Sequence, residues 1–234
     1  MRTVHVVQHT SAEYLGLIED HLEGRGIRFQ YSRPFAAKGS LPAPENVTTG
    51  LVLLGGGPWG SAGEARVPTL DAEIALAQSC LARDVAVIGI GLGAQILAIA
   101  AGGGSEAAPL EFRVGHAHRA VDTALGGYLP QRYPLAVYMR DRPLPPSDAI
   151  VLARDDAGDP ALWQHGRAAF AFAGHPGLKV AMIEDLAMEF EEAPAELGAG
   201  LGQLRAVQHG IEDALVPIMT GLVQATGWMD AVAH

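Results

Sequence analysis

The sequence predicts an α/β fold built on a mostly parallel central sheet with helices on both faces. Three observations carry this. The front half alternates short apolar runs with amphipathic stretches, the order that βαβ units produce. The third and fourth runs, Leu51-Val52-Leu53-Leu54 and Val85-Ala86-Val87-Ile88, contain no polar position, as strands covered on both faces require. Each of these runs leads straight into a glycine-rich turn, Gly55-Gly56-Gly57-Pro58 and Gly89-Ile90-Gly91-Leu92-Gly93. Ligands and chemistry in open parallel sheets gather outside the carboxyl ends of the strands, so these two turns mark the expected site.

The elements follow in order. Residues 4–7 form the first strand. Ser11 caps a helix carrying Leu15, Ile18 and Leu22 on one face, and Gly24 and Gly26 stop it. Residues 27–31 alternate as a second strand, and 34–44 form a loop. After the third strand comes a helix with Leu70, Ile74, Ala77 and Leu81 in register. The fourth strand turns into a helix that ends at Gly102-Gly103-Gly104. Beyond it the pattern is less regular. Residues 110–114, 135–139, 149–153 and 168–173 read as strands separated by Pro-, Asp- and Gly-rich loops, and 178–192 as a helix. A Gly/Ala-rich link follows Pro194. Leu204, Val207, Ile211, Leu215, Ile218 and Leu222 then recur at helical spacing, with Pro217 expected to kink or break the helix. The expected units are a core domain over 1–193 and a helical extension over 194–234, packed on the core or on a partner.

Composition limits the function classes. With 49% hydrophobic residues and 18% charged ones in a chain of 234, a sizeable core is available. A formal charge of −10 argues against a uniformly basic nucleic-acid surface. Cys80 is the single cysteine, which excludes an internal disulfide and any multi-cysteine metal site. No signal-peptide core or membrane-length apolar run is visible, and a cytoplasmic location is expected.

The segment Val87-Ile88-Gly89-Ile90-Gly91-Leu92-Gly93-Ala94-Gln95-Ile96-Leu97-Ala98 resembles the nucleophile elbow of class I glutamine amidotransferases, whose pattern is Gly-x-Cys-x-Gly-x-Gln before an apolar helix. Gly57-Pro58 is similar to that family's Gly-Gly-Pro oxyanion loop, and His175-Pro176 to its His-Pro-Glu motif, in the family's order. The resemblance covers roughly residues 1–190 and implies a flavodoxin-like amidotransferase fold, in which a cysteine attacks the amide of glutamine. A histidine moves the proton, a glutamate orients the histidine, and two backbone N–H groups hold the oxyanion. By the same resemblance those N–H groups are Gly57 and Leu92, and Gln95 lies beside the substrate.

The departures fall on the chemistry. Gly91 stands at the nucleophile position and Gly177 at the glutamate position, leaving His175 as the remnant of the triad. A triad acts as a unit, and glycine supplies neither nucleophile nor carboxylate. Tyr138-Met139-Arg140 precedes Leu144-Pro145 where relatives carry His-Trp-His, and Ala161 replaces a glutamine common in relatives. The expected function is therefore a glutaminase-dead amidotransferase-like protein acting through binding or assembly. The rivals are an enzyme that uses the pocket without cysteine and a structural glutaminase-type component of a synthetase. Expected partners are a second copy of the chain, a synthetase or other protein subunit, and a small carboxylate or amide ligand. Neither nucleic acid nor membrane is expected to bind.

Other motifs read more plainly. Gly89-x-Gly91-x-Gly93 lacks the third glycine of a dinucleotide turn, so no cofactor is expected. His116, His118, His165 and His175 lack ligand spacing, so no metal is expected. Asp155-Asp156-x-Gly158-Asp159 lacks the closing glutamate of a calcium loop. Arg140-Asp141-Arg142 reads as a solvated charged loop or, alternatively, as an edge of the pocket, Glu189-Glu191-Glu192 as the solvated end of a helix, and Cys80 as a half-buried core residue.

Overall fold

A computed structural model describes residues 3–229. The expected units reach beyond this: residues 1–2 of the first and 230–234 of the second lie outside the described residues. The chain runs β1 (Thr3–Val7), α1 (Ile18–Glu23), β2 (Arg28–Ser32), β3 (Gly50–Leu53), α2 (Leu70–Ala82), β4 (Ala86–Ile90), α3 (Leu92–Ala100), β5 (Gly104–Glu106), β6 (Glu111–Arg119), β7 (Arg132–Met139), β8 (Arg142–Leu144), β9 (Ile150–Asp155), β10 (Pro160–His165), β11 (Ala169–Phe172), α4 (Val180–Glu189) and α5 (Leu197–Thr226).

A nine-stranded sheet in the order β2-β1-β3-β4-β11-β10-β9-β6-β7 forms the frame. Neighbours from β2 to β11 pair parallel, and those from β11 to β7 pair antiparallel. Side chains alternate across it as the pleat demands. Val52 and Leu54 pack in a layer with Leu22, Leu215 and Leu222, whereas Leu51 and Leu53 pack in the other with Leu70, Ile96 and Leu97. Helices α1 and α5 therefore cover one face and α2 and α3 the other, the layering expected of a flavodoxin-like core.

Three sequence expectations change. The helix expected from Ser11 starts only at Ile18. The segment before it sends its N–H groups elsewhere: Ser11 and Ala12 to Glu189, Glu13 to Thr10 Oγ1, Leu15 to Tyr31 Oη and Leu17 to the Gly177 carbonyl. Backbone donors already satisfied in this way gain nothing from a helical turn. Secondly, β10 was hidden because it starts at a proline and slips register against β9. Its hairpin turn is closed by Asp155, which is only 6% exposed, accepts the Ala157 and Asp159 N–H groups and pairs with Arg113.

Thirdly, α5 starts inside the supposed Gly/Ala-rich link and runs through Pro217 without a break. It spans the two halves of the sheet. Leu204 and Ile211 pack with Met182, Ile183 and Leu186 of α4 and with Phe112, while Leu215, Ile218 and Leu222 pack beneath the parallel strands. Leu215 has no exposed surface. Truncating such a buried leucine costs about 2–5 kcal/mol. Leu215→Ala is therefore expected to lower the melting temperature by roughly 5–15 °C, measurable by calorimetry; an unchanged transition would mean that α5 does not carry the core.

Candidate active site

The elbow is the turn from β4 to α3. Gly91 occupies it with φ 57° and ψ −114°, and its N–H donates to the Phe172 carbonyl at 3.0 Å. That conformation costs a non-glycine residue about 1–3 kcal/mol. Space is not the obstacle: an added Cβ would meet only the Gly55 Cα, at 3.4 Å. Two residues on, the first turn of α3 lies hard against β3. A Cβ at Gly93 would sit 1.9 Å from the Leu53 carbonyl oxygen. Leu92, at the first position of α3, places its N–H among those that a helix leaves unpaired.

The loop after β3 faces this turn, and it is pinned by side chains that the sequence suggested were solvated. Arg140 Nε donates to the Pro58 carbonyl at 2.7 Å, and its guanidinium pairs with Glu192. Asp141 is 3% exposed and accepts from the backbone N–H groups of Ser61, Ala62 and Ala108. Glu189 is likewise engaged, on the N–H groups of Ser11 and Ala12. Gln95 is fully buried, accepts from Ser61 Oγ at 2.5 Å and donates to the Arg140 carbonyl at 2.5 Å. Both ends of its amide thus tie α3 to the surrounding loops, and Gln95 does not line the cavity beside Gly91.

His175 lies at the carboxyl end of β11, on the same side as Gly91, and the two line one cavity. Its ring is fully engaged. The Gly177 N–H donates to Nδ1 at 3.1 Å, so Nε2 carries the proton and donates to the Tyr14 carbonyl at 2.8 Å. Burial lowers its pKa to about 4, partly offset by the bond to Tyr14, so the ring is neutral around pH 7. Gly177 leaves no room for a glutamate side chain: a Cβ there would lie 2.9 Å from Ile18 Cγ1 and 3.0 Å from the Ile18 nitrogen.

The residues not foreseen are Glu13, His9, Glu73 and Tyr138. Glu13, 3% exposed, lines the cavity with Gly91, Tyr138 and His175. Its Oε2 accepts the Gly57 N–H, so Gly57 reaches the cavity through Glu13. The free volume left is about 10 Å³, close to the space needed for one water. Tyr138 is 6% exposed, and its hydroxyl has no hydrogen-bond partner among the described residues.

Behind Glu13, His9 Nδ1 meets the Gly55 carbonyl at 3.1 Å and Nε2 meets Glu73 at 2.7 Å, with both side chains of this pair fully buried. A ring that donates from both nitrogens to these two oxygens is the protonated form, and the buried pairing favours it. Burial alone would lower the His9 pKa, but the Glu73 carboxylate raises it above the ordinary value. Burial drives Glu13 up to about 7, against the pull of the Gly57 N–H and of His9, while Glu189 adds to the rise. A sequence signal existed: Gln8, His9, Thr10 and Glu13 follow the first strand directly, at the carboxyl end where sites form. Reading them as a helix start concealed it.

Cys80 is fully rather than half buried, and burial raises its thiol pKa. His116 and His118 lie on β6 near Asp156, apart from the elbow. Among the described residues no His, Cys, Asp or Glu cluster is placed to hold a metal, and no helix is long and apolar enough to cross a membrane.

Solved structures share this architecture. A glutamine amidotransferase from Thermotoga maritima superposes with a TM-score of 0.80 at 19% identity, over 96% of this chain and 98% of that one. A glutamine amidotransferase from Methylobacillus flagellatus gives 0.81 at 22% identity, over 100% and 98%. This is the glutamine amidotransferase fold. A candidate GMP synthase component from Thermoplasma acidophilum is similar at a TM-score of 0.56 and 18% identity, over 89% of this chain and 98% of that one. No family model and no curated protein sequence matches the chain.

The raised Glu13 pKa has a consequence for stability. An unfolded glutamate titrates near 4.5 and folded Glu13 near 7. The folded state thus holds this proton more tightly, and the Glu13 contribution to stability falls as pH rises from 4.5 to 7. Glu13→Gln keeps an acceptor for the Gly57 N–H but cannot titrate. Its stability relative to the wild type should rise between pH 5 and pH 8, by on the order of 2–3 kcal/mol. Urea midpoints at the two pH values measure this, and parallel pH profiles for the two proteins would refute it.

Proposed function

We propose that this chain is a glutamine amidotransferase-fold protein that does not hydrolyse glutamine and acts by binding a ligand or assembling with a protein partner. The observation that carries the reading is Gly91: the elbow keeps its backbone geometry, and no side chain stands at its apex. Two further features support it. Gly177 offers no carboxylate, and its surroundings have closed over the place where one would extend. His175 holds its proton on Nε2 against the Tyr14 carbonyl, with Nδ1 taken by the Gly177 N–H, so neither nitrogen is available to deprotonate a nucleophile.

Binding is favoured over an alternative hydrolysis by the size of the cavity. Free space for about one water does not admit a glutamine side chain beside Gly91. The likeness to a candidate GMP synthase component supports a synthetase-type partner as one form of assembly.

Purified protein given glutamine is expected to release ammonia no faster than its His175→Ala variant, in a coupled glutamate dehydrogenase assay. A clear rate in the wild type that is lost in His175→Ala would overturn the reading.

A further inference from the structure

We propose that the cavity beside Gly91 is a carboxylate-binding site whose resident ligand is the chain's own Glu13, and that an external small monocarboxylate takes the Gly57 N–H when this side chain is removed or withdrawn. The inference rests on the binding role proposed above and names its ligand class.

Four observations converge on it. First, the loop after β3 is shaped around a carboxylate. The Gly57 N–H donates to Glu13 Oε2, and a Cβ at Gly55 would fall 2.0 Å from Glu13 Oε1, so the other oxygen also lies against bare backbone. Secondly, the buried Tyr138 hydroxyl lines the same cavity without a partner among the described residues. Leaving such a group unpaired costs about 1–3 kcal/mol, and an entering carboxylate oxygen would take its proton in a hydrogen bond. Thirdly, His175 lines the cavity but has both nitrogens engaged, so it does not hold the ligand. Fourthly, His9 lies behind this position and, with the Gly57 N–H, favours the anionic form there against burial and Glu189.

The groups facing Glu13 set how firmly it stays. The Gly57 N–H and His9 favour its charged form. Glu189 from the end of α4 opposes that form, and burial opposes it most. Glu13 is therefore a resident whose charged form is the less favoured one in this cavity, with its carboxyl titrating at about 7. A neutral carboxyl is the weaker acceptor for the Gly57 N–H. While the side chain is in place, the remaining space of about 10 Å³ is too small for a second carboxylate.

Glu13→Ala removes one methylene and one carboxylate, the heavy-atom equivalent of acetate. The test compares sodium acetate, sodium chloride at equal ionic strength, and acetamide as the neutral isostere, on the wild type, Glu13→Ala and Glu13→Gln. Thermal melts at pH 8 are the readout. Acetate at ten times its dissociation constant is expected to raise the Glu13→Ala transition by about 3 °C and to leave the other two proteins within about 1 °C. Acetamide and chloride are expected to do nothing. An equal response to acetamide, an equal response of the wild type, or no response from folded Glu13→Ala would overturn the proposal.

A measurement on the unaltered chain stands if Glu13→Ala does not fold. The Gly57 amide proton resonance of the isotope-labelled protein is expected to move with a midpoint near pH 7, and the same resonance in Glu13→Gln to stay still. An invariant Gly57 resonance in the wild type would also overturn the proposal. Ammonia release from glutamine by the same preparations judges the non-hydrolytic role separately: a His175-dependent rate would sink that role, whereas the acetate melts and the Gly57 resonance decide the carboxylate site.

Discussion

The first turn of α3 reaches the ends of β3 and β4 only because Gly89 and Gly93 carry no Cβ on the approaching side. A Cβ at Gly93 would overlap the Leu53 carbonyl, and one at Gly89 would overlap the Gly93 carbonyl. With the helix so close, the Gly93 N–H bonds to the Leu54 carbonyl and the Gly91 N–H to the Phe172 carbonyl. The elbow is thus tied to both neighbouring strands by backbone alone. Its shape does not depend on a side chain at position 91, which is how the turn persists with glycine at its apex. What a cysteine would add is strain, since φ 57° at that position is cheap for glycine and costly for any other residue.

Around this rigid turn the polar groups have been redistributed. Glu13 meets the Gly57 N–H, His9 and Glu73 form a buried pair behind it, and Asp141 gathers three N–H groups from the adjoining loops. Buried ions are tolerated where hydrogen bonds satisfy them, and each of these has such partners. Residues 11–17 follow from the same arrangement: their N–H groups serve Glu189, Thr10, Tyr31 and Gly177, so α1 is short. Local sequence favours a helix there, and long-range hydrogen bonds outweigh it.

The parallel half of the sheet was legible because its strands are buried on both faces and read as unbroken apolar runs. The elbow was legible because its glycines alternate in one short run directly after an unbroken apolar strand. The antiparallel wing was less so: β10 opens with a proline and carries a register shift, and β5 and β8 are three residues each. Within the site, Gly91 and His175 line one cavity, and Gly57 reaches it through Glu13. Glu13 was hidden because its partner, Gly57, is 44 residues away, and nothing local marks the pairing. Asp141 was misread for the same reason, since a charged residue in a loop reveals its buried partners only once the chain is folded. Gln95 shows the opposite case: a position singled out by the motif is spent on ties between α3 and its loops.

The most direct measurement installs a thiol where the elbow lacks one. Gly91→Cys is alkylated with iodoacetamide as a function of pH, with the wild type as the blank for buried Cys80. If His175 is neutral and held by the Tyr14 carbonyl, it supplies no cation to stabilise the thiolate, and the nearby Glu13 carboxylate opposes the charge. Whatever lowering the α3 N-terminus gives, the thiol pKa is therefore expected to stay unchanged on adding His175→Ala. A thiol pKa below about 7 that rises when His175 is removed would contradict this, because it would mean that the histidine still serves the elbow as a base.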